Sequence, residues 1–333
     1  MRRGTLALSS LALVSLLWAG AAIAAPGGLG PPDPKTDSGE AISQLYWIVV
    51  VVCAVVFVAV EAALVLFIVR FRRRRGTPET VEGPQIHGNT RLEIIWTIIP
   101  AAILLAIAIF TLTRIPSVEA KGDDELVIRV VAHQFYWQYE YPNGAISLDE
   151  LRIPVDRRVR LEISTRDVNH SWWVPALTGK KDAIAGRVNS LSFKPNQTGT
   201  WEGQCAEFCG IQHAVMYTRV TVVEQSEYDS WVEQQATISD VELGEQLWGA
   251  VCAKCHGLAG EGDVGPAIAG NGTLTNRQGL IQLLSTGQDT PQFESYMPAV
   301  GLGWNGHQYD ALLAYIKATP KLSTAQPGAA SGG

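Results

Sequence analysis

Residues 205–216 read Cys-Ala-Glu-Phe-Cys-Gly-Ile-Gln-His-Ala-Val-Met and follow directly on a strand-like run. Two thiols, an imidazole and a thioether therefore fall on one short loop. Soft thiolates combined with imidazole and a weak thioether favour copper, which can then change oxidation state with little change in geometry. His170 ends a strand-like run further upstream and adds an imidazole from a distant strand. Two cysteines in place of one indicate two copper ions bridged by both sulfurs.

The cysteine pair could also form a disulfide or hold zinc, and the sequence leaves both alternatives open. Exported domains commonly contain disulfides, and Cys205 and Cys209 together with His213 would also suit a structural zinc ion. Neither alternative accounts for Met216. Methionine occurs only three times in the chain, and Met216 lies beside this loop while Met297 lies near a second motif.

The second motif is Cys252-Ala-Lys-Cys255-His256, which has the spacing of c-type haem attachment. In that signature two thiols bond the porphyrin vinyl groups and the histidine ligates iron. A redox-active dithiol with a chance histidine is the alternative. The two motifs together predict two electron carriers in one chain, a copper pair and a covalently bound haem c.

The sequence around the second motif resembles class I cytochromes c. Gly244, Trp248 and Cys252 recur at every fourth position, as in the first helix of that family, where the glycine lets the last helix approach. Tyr315 is then the expected partner from the last helix. The resemblance predicts a small, mostly helical domain.

The same resemblance implies the surroundings of the haem iron. Gly265-Pro266 follows the motif, and in the family the proline carbonyl orients the ligating imidazole. Met297 is the expected sixth ligand, with ordinary core packing as the alternative. A thioether opposite imidazole raises the iron potential and fills the coordination sphere, so the haem would pass electrons instead of activating oxygen.

Two long apolar segments predict a membrane hairpin. Of the 333 residues 47% are hydrophobic, which is rich for a purely soluble protein. Residues 45–69 and 92–112 are suited to cross about 30 Å of hydrocarbon as helices. The segment 70–91 between them holds six arginines against two glutamates, so it should be cytoplasmic and both ends of the mature chain should face outward. Residues 1–24 have the pattern of a secretory signal peptide.

The exported part of the chain is acidic. From residue 121 onward it has 16 Lys plus Arg against 24 Asp plus Glu. Such a surface suits a cationic partner and argues against nucleic acid. Exported domains are often acidic without such a partner, and that alternative stays open.

The set of metal-type residues resembles that of subunit II of the haem-copper cytochrome c oxidases, of the caa type that carries a fused cytochrome c domain. The residues that carry this resemblance are His170, Cys205, Glu207, Cys209, His213 and Met216. The segments 93–100, 133–137 and 182–189 also resemble landmarks of that family. The resemblance implies that Glu207 gives its backbone carbonyl to one copper and directs its carboxylate toward a magnesium ion shared with subunit I.

The resemblance leaves two candidates for the residue through which electrons enter the copper domain. Members that are served by a separate cytochrome c have tryptophan where this chain has Phe135. Trp137 follows two residues later and can substitute. Phe135 and Trp137 are therefore the two candidates for electron uptake.

Two glutamates fall in or beside the predicted membrane spans, where a carboxylate is costly and marks a functional candidate. Glu93 starts the second span, and the resemblance implies that it stands at the mouth of a proton pathway into subunit I. Glu61 lies deep in the first span, and we expect it to bond to a neighbouring helix.

The predicted fold class is a multidomain membrane protein with a two-helix transmembrane hairpin, an all-β cupredoxin-like Greek-key domain and an all-α class I cytochrome c domain. Short alternating runs between Pro, Asn, Gly and Asp residues predict an antiparallel sandwich or barrel. The predicted domains are the signal peptide 1–24, a flexible leader 25–41, the hairpin 42–113, the dinuclear copper domain 121–224, a linker 225–240, the cytochrome c domain 241–320 and a disordered tail 321–333.

The resemblance implies a respiratory function, that of an oxidoreductase and translocase subunit in the bacterial cytoplasmic membrane. Electrons would pass from a soluble or membrane-bound cytochrome c, or from a quinol-oxidising complex, through haem c and copper to subunit I, with subunit III as a further partner. Oxygen chemistry would belong to subunit I. A protein like nitrous-oxide reductase and a copper-binding assembly factor are the alternatives. The six histidines of the chain are too few for the catalytic domain of the former.

Overall fold

The computed structural model describes residues 30–72, 85, 87–118, 122, 124–290 and 295–323. The predicted signal peptide, most of the predicted cytoplasmic loop and most of the predicted tail lie outside these residues. The chain divides into two compact units. One unit contains the two long helices, and the other contains residues 33–39 together with the chain from residue 119 onward.

The two long helices are α1, Asp37–Phe71, and α2, Thr90–Val118. Both are long and apolar enough to cross a membrane by length and composition, and most of their side chains are exposed in the single chain. A helix satisfies its backbone hydrogen bonds internally, which lipid requires. The predicted spans lie inside these helices, and the helices extend several residues beyond them.

The β domain consists of two five-stranded sheets, with strand orders β3-β2-β1-β5-β8 and β4-β10-β9-β6-β7. The strands are β1 Leu126–His133, β2 Tyr136–Glu140, β3 Ile146–Leu148, β4 Glu150–Pro154, β5 Val159–Thr165, β6 His170–Trp173, β7 Lys181–Ala183, β8 Asn189–Phe193, β9 Gly199–Cys205 and β10 Tyr217–Val223. Side chains of β5 alternate between buried and half-buried, as expected of a strand with one face on a core.

The expectation of a purely antiparallel sandwich is wrong at two places. Strand β1 pairs with β5 in parallel, and β4 pairs with β10 in parallel. The chain changes sheet between β3 and β4, at Asp149, which has a φ of 57°. It then returns to the first sheet as β5, so the returning strand runs in the same direction as β1.

The C-terminal part is mainly helical. Its helices are α3 Gln225–Ala236, α4 Asp240–Leu247, a π-helical turn Trp248–Cys252, α5 Ala253–His256, α6 Gly272–Thr275, α7 Arg277–Thr286, α8 Gly306–Ala318 and α9 Pro320–Ser323. The strands β11 Gln288–Thr290 and β12 Ser295–Met297 form a small antiparallel sheet, which the sequence did not predict. Capping boxes at Ser239 and Asn305 fix the starts of α4 and α8.

Residues 225–240, expected to be a polar linker, mostly form α3. Tyr228 of this helix is buried, and Trp231 and Val232 pack against the core of the β domain. Three apolar side chains on one helix face were too few to give a periodic signal in a polar segment. The helix therefore extends the β domain and leaves only a short connection to α4.

Helices α4 and α8 form the centre of the C-terminal domain. A Cβ atom at Gly244 would lie 2.1 Å from the carbonyl oxygen of Ala311 and 2.6 Å from Cβ of Tyr315, so only glycine allows the helices this close. The Trp248 and Tyr315 rings lie 6.5 Å apart, as the sequence led us to expect. The core of this domain also includes Tyr136, which comes from β2 of the β domain.

Candidate metal centre and haem cavity

The 205–216 loop begins and ends at neighbouring positions of the β domain. Cys205 is the last residue of β9, and its backbone N–H donates to the Met216 carbonyl at 2.9 Å. The Ala206 N–H donates to the Ser171 carbonyl at 2.8 Å, which ties the loop to β6. Since His170 is the first residue of β6, sheet pairing brings the distant imidazole to the cysteines.

The sulfur and nitrogen atoms of the predicted copper ligands lie close together. Cys205 Sγ is 4.0 Å from Cys209 Sγ and 3.9 Å from His170 Nδ1. Cys209 Sγ is 3.6 Å from His213 Nδ1 and 3.7 Å from Met216 Sδ. Both cysteines belong to the described part of the chain and are free thiols, so the disulfide that was the first alternative does not join them.

The backbone carbonyl and the side-chain carboxylate of Glu207 lie in different surroundings. Its backbone carbonyl lies 3.2 Å from Cys205 Sγ, and its side chain is exposed. The carbonyl is therefore beside the sulfur cluster while the carboxylate is free to meet another molecule. The role of Glu207 toward copper and magnesium stays a prediction.

Asp167 orients the buried His170 from behind. Asp167 Oδ1 lies 2.8 Å from His170 Nε2, and Oδ2 accepts from the Gln134 N–H at 2.7 Å. Burial acts to raise the pKa of the Asp167 carboxyl, but the hydrogen bond to His170 and further contacts lower it overall. An ionised Asp167 holds a proton on Nε2 and leaves Nδ1, the nitrogen nearer the cysteines, as the one available to a metal.

The two thiols are electrostatically coupled. The hydrogen bond from Cys209 is the main cause that lowers the pKa of Cys205 to about 3. The same contact raises the pKa of Cys209. The pair therefore binds one proton between the two sulfurs, and a metal would displace it because thiolates are the ligating form.

The donor set fits a copper pair. It combines two thiols, two imidazoles and a thioether with a backbone carbonyl, and the His170 and Met216 side chains are fully buried. This is more donors, and softer ones, than a tetrahedral zinc ion needs. Burial also keeps water from the cluster.

A second site is a cavity of about 350 Å³ in the C-terminal part, within the size range of small-molecule and cofactor pockets. All four residues predicted to hold haem c line it, namely Cys252, Cys255, His256 and Met297. Most of the other lining side chains of this domain are apolar. A flat porphyrin with two thioether links and two axial ligands fits this set of groups.

The orientation of His256 agrees with a ligand role. Its Nδ1 lies 2.8 Å from the Pro266 carbonyl oxygen, so Nδ1 carries the proton and donates it. Nε2 is then the nitrogen available to iron. Burial raises the pKa of the Cys252 thiol to about 12 and also raises the pKa of the Cys255 thiol, so both are neutral thiols near neutral pH.

The β domain forms part of the cavity wall. Gln134, Phe135, Ile211 and Gln212 line the cavity, and the last two belong to the 205–216 loop. Phe135 is only 7% exposed, so it lies inside the molecule and not on an outer docking surface. Trp137, the other candidate for electron uptake, does not line the cavity; it is fully buried, with its ring 6.0 Å from that of His170.

Sequence reasoning missed several residues that the structure brings to these sites. They are Gln134, Tyr136, Asp149, Asp167 and Lys254. Lys254 lies inside the haem motif, and Gln134 and Tyr136 lie inside the 133–137 segment, but neither pattern indicates what these side chains contact. Asp149 and Asp167 lie in no motif, and Asp149 meets Lys254 from more than a hundred positions away.

The predicted proton-pathway residue has a local role in the described chain. Glu93 lies in the first turn of α2, and its carboxylate accepts from the Asn89 N–H at 3.2 Å. Such a contact stabilises a helix N-terminus. Glu61 lies in α1 and is exposed in the single chain.

Three family models match the chain. "Cytochrome C oxidase subunit II, transmembrane domain" matches residues 24–113, and "Cytochrome C oxidase subunit II, periplasmic domain" matches residues 146–224. "Cytochrome C oxidase, cbb3-type, subunit III" matches residues 239–316, which contain the haem motif.

Curated relatives are similar over most of the chain. Cytochrome c oxidase subunit 2 of Alkalihalophilus pseudofirmus is 36% identical over 308 residues, covering 86% of this chain and 89% of the relative. The protein of the same name from Bacillus sp. strain PS3 is 33% identical over 56% of this chain and 59% of the relative. The crystal structure of the periplasmic domain of subunit II of cytochrome oxidase from Bradyrhizobium japonicum is 35% identical, with a TM-score of 0.33, and covers 35% of this chain and 96% of that one.

Fold and sites together define a membrane protein with a cupredoxin-like domain and a fused cytochrome c domain, which confirms the predicted fold class. The identity to the Alkalihalophilus protein extends across all of these parts. The chain therefore belongs to the cytochrome c oxidase subunit II family.

Proposed function

We propose that this chain is the electron-accepting subunit of a respiratory cytochrome c oxidase. It would take electrons from a donor cytochrome c at the fused haem and pass them through a copper pair to subunit I. Oxygen reduction and proton pumping would take place in subunit I. The observation that carries this proposal is that the 205–216 loop, with its metal-type ligands, also lines the cavity of the haem motif.

The residues that would hold each group follow from the geometry above. His170, Cys205, Cys209, His213 and Met216 would bind two copper ions, with the Glu207 carbonyl as a further ligand. Cys252, Cys255, His256 and Met297 would hold haem c. When bound, each centre would take up and release one electron at a time without a change of ligands.

The chain supplies orientation and exclusion of water. Asp167 fixes the tautomer of His170, and the Pro266 carbonyl fixes that of His256. The buried sulfur cluster and the apolar cavity keep solvent from both sites. We expect the reorganisation energy of electron transfer to be small, because the dipoles around both sites are already in position.

The proposed partners follow from the surface of the loop. Phe208 and Ile211 are more than three-quarters exposed beside the exposed Glu207 carboxylate. We assign this apolar and acidic surface to the contact with subunit I, with a magnesium ion at Glu207. Subunit III would complete the complex, and Glu93 would serve proton uptake from the cytoplasmic side.

The proposed location is the cytoplasmic membrane of a bacterium, with α1 and α2 as the two spans. Both chain ends, the copper domain and the haem domain would lie on the periplasmic or extracellular side. The arginine-rich segment 70–91 supports this orientation, because short basic loops remain in the cytoplasm.

The substitution Cys209→Ser in the assembled oxidase tests the order of the two centres. We expect a reduced donor to reduce haem c normally while oxygen consumption falls by about 10²-fold or more, because loss of the sulfur breaks the path after the haem. Cys53→Ser, in α1 and outside both sites, is the matched control and should retain full activity. Unchanged oxygen consumption in Cys209→Ser would refute the proposed route.

A further inference from the structure

Lys254 of the haem motif makes its polar contacts with the β domain. It lies between Cys252 and Cys255, and its Nζ donates to Asp149 Oδ2 at 2.5 Å and to the Phe135 carbonyl oxygen at 3.0 Å. The Lys254 and Asp149 side chains are 20% and 22% exposed. An ammonium group that is largely shielded from water is costly unless it is paired with a carboxylate. The contact therefore favours one arrangement of the two domains.

Asp149 is fixed firmly enough to define that arrangement. It occupies the corner at which the chain passes from one sheet to the other. Its Oδ1 accepts from the Trp137 N–H at 2.9 Å, and its own N–H donates to the Trp137 carbonyl at 2.8 Å. Its carbonyl accepts from the Arg219 N–H at 2.8 Å. These hydrogen bonds hold the Asp149 carboxylate in a fixed position relative to the sheets, and Lys254 pairs with it there.

A second polar contact joins the same two domains close by. The Tyr136 hydroxyl accepts from Trp304 Nε1 and donates to the Val300 carbonyl oxygen, both at 2.7 Å. Tyr136 is fully buried in the core of the helical domain, although it belongs to β2. Segment 134–136 is thus held from the helical side by both Lys254 and Trp304.

This held segment connects the cavity with the sulfur cluster. Phe135 and Gln134 line the cavity, and Gln134 Nε2 donates to the Cys209 carbonyl at 2.6 Å. A Cβ atom at Gly210 would lie 2.8 Å from Gln134 Nε2 and 3.1 Å from the Phe135 ring. The contact therefore depends on close packing against the residue next to Cys209.

We propose that Lys254 is a positioning residue that fixes the haem domain on the copper domain, and that Gln134 thereby links the cavity wall to the Cys209 carbonyl in the electron path. This inference rests on the proposed function. It concerns the transfer of an electron from the haem site to the copper site. With haem c and copper bound, one electron would pass from the haem site to the copper site. No bond would form or break and no proton would move, so Gln134 would be chemically unchanged.

The first test measures hydrogen exchange in the full-length chain, where it needs no turnover. In Lys254→Met the peptides covering 133–138 and 298–305 should exchange about tenfold faster, because a partly buried ion pair has lost one partner. Lys254→Arg should restore most of the protection. Lys317→Met, an exposed lysine of α8, is the matched control and should leave both peptides unchanged.

The second test measures the haem-to-copper electron-transfer rate by flash photolysis in the assembled oxidase. Lys254→Met should slow this step about tenfold, in proportion to the lost docking. Gln134→Leu should slow it without changing the exchange of 298–305, because the domains remain docked while the contact to Cys209 is lost. Absorption spectra of both centres should be retained in each variant.

The outcomes separate this inference from the proposed function. Wild-type exchange in Lys254→Met would overturn the role of Lys254, whatever the metals do. A wild-type transfer rate in Gln134→Leu would overturn the electron path. A chain that contains no copper would refute the proposed function, while the exchange experiment would still report on the contact between Lys254 and Asp149.

Discussion

At the scale of the residue, two of the proposed histidine ligands, His170 and His256, each have a hydrogen-bond partner that fixes the orientation of the ring. Asp167 holds His170 through Nε2, and the Pro266 carbonyl holds His256 through Nδ1. Such partners set the tautomer and the direction of the free nitrogen. They also make the ligand ready before a metal arrives, so little rotational freedom is lost on binding.

Removing the charge of Asp167 should weaken copper binding. In Asp167→Asn the His170 tautomer is no longer fixed by a carboxylate, and we expect the copper affinity to fall about 10- to 100-fold. Competition of the full-length chain with a copper chelator measures this change. Asp310→Asn removes an exposed carboxylate that pairs with Arg277 and should leave the affinity unchanged. Equal affinities for the wild type and Asp167→Asn would contradict the role of Asp167.

The proposed ligands are visible in the sequence because their types and spacing lie within short segments. The 205–216 loop and the 252–256 motif each carry most of one site on a few residues. Asp167 could not be predicted in this way. It is three residues before His170 in a polar turn, where an aspartate most often serves the turn itself.

At the scale of the element, the close approach of α4 and α8 shapes the haem domain. Gly244 removes the side chain that would separate the helices, and the π-helical turn Trp248–Cys252 then leads directly into the haem motif. The position of the two cysteines relative to α8 is therefore set by this helix pair. The packing of buried Leu243 and Leu247 of α4 with buried Leu312 and Ile316 of α8 in one core stabilises it.

A methyl group at Gly244 should destabilise the haem domain selectively. We expect Gly244→Ala to lower the free energy of unfolding of this domain by about 1–3 kcal/mol, because the added atom overlaps the Ala311 carbonyl. Hydrogen exchange of peptides from α4 and α8 in the full-length chain measures the loss. Gly249→Ala, where no atom of the described residues lies within 4 Å of the added Cβ, is the control and should be neutral or slightly stabilising. An equal effect of the two substitutions would contradict this account of the helix pair.

The longer elements could be predicted from the sequence, and the short ones could not. Strand β5 alternates between buried and half-buried side chains and helix α8 has a clear buried face, so the pattern of each is visible in its sequence. Strands β3 and β7 have three residues each, too few for a period of two to be visible. Helix α3 was missed because its buried face is small and its sequence is mostly polar.

At the scale of the whole molecule, the chain from residue 119 onward joins two domains into one compact unit. The contacts between them pair residues more than a hundred positions apart, such as Lys254 with Asp149 and Trp304 with Tyr136. No local pattern in the sequence predicts such pairs. The fused domain could therefore be predicted, but the surface on which it docks could not.

The acidic balance of the chain from residue 121 onward leads to a prediction about the donor. With about eight more acidic than basic residues beyond position 120, a basic cytochrome c should associate faster at low salt. We expect the rate of haem c reduction by such a donor to fall about tenfold between 10 and 200 mM salt, because screening shortens the range of attraction. An acidic cytochrome c of similar potential is the control. A rate independent of salt for the basic donor would contradict an electrostatic docking surface.

The metal content of the intact chain decides whether the 205–216 loop holds a copper pair. Native mass spectrometry of the full-length protein, purified from a host that attaches haem c, counts copper, zinc and haem on each molecule. We expect two copper ions and one haem on each wild-type molecule. The Cys205→Ser variant should lose the copper and retain the haem. Zinc in place of copper, or a covalent bond between Cys205 and Cys209, would contradict this expectation.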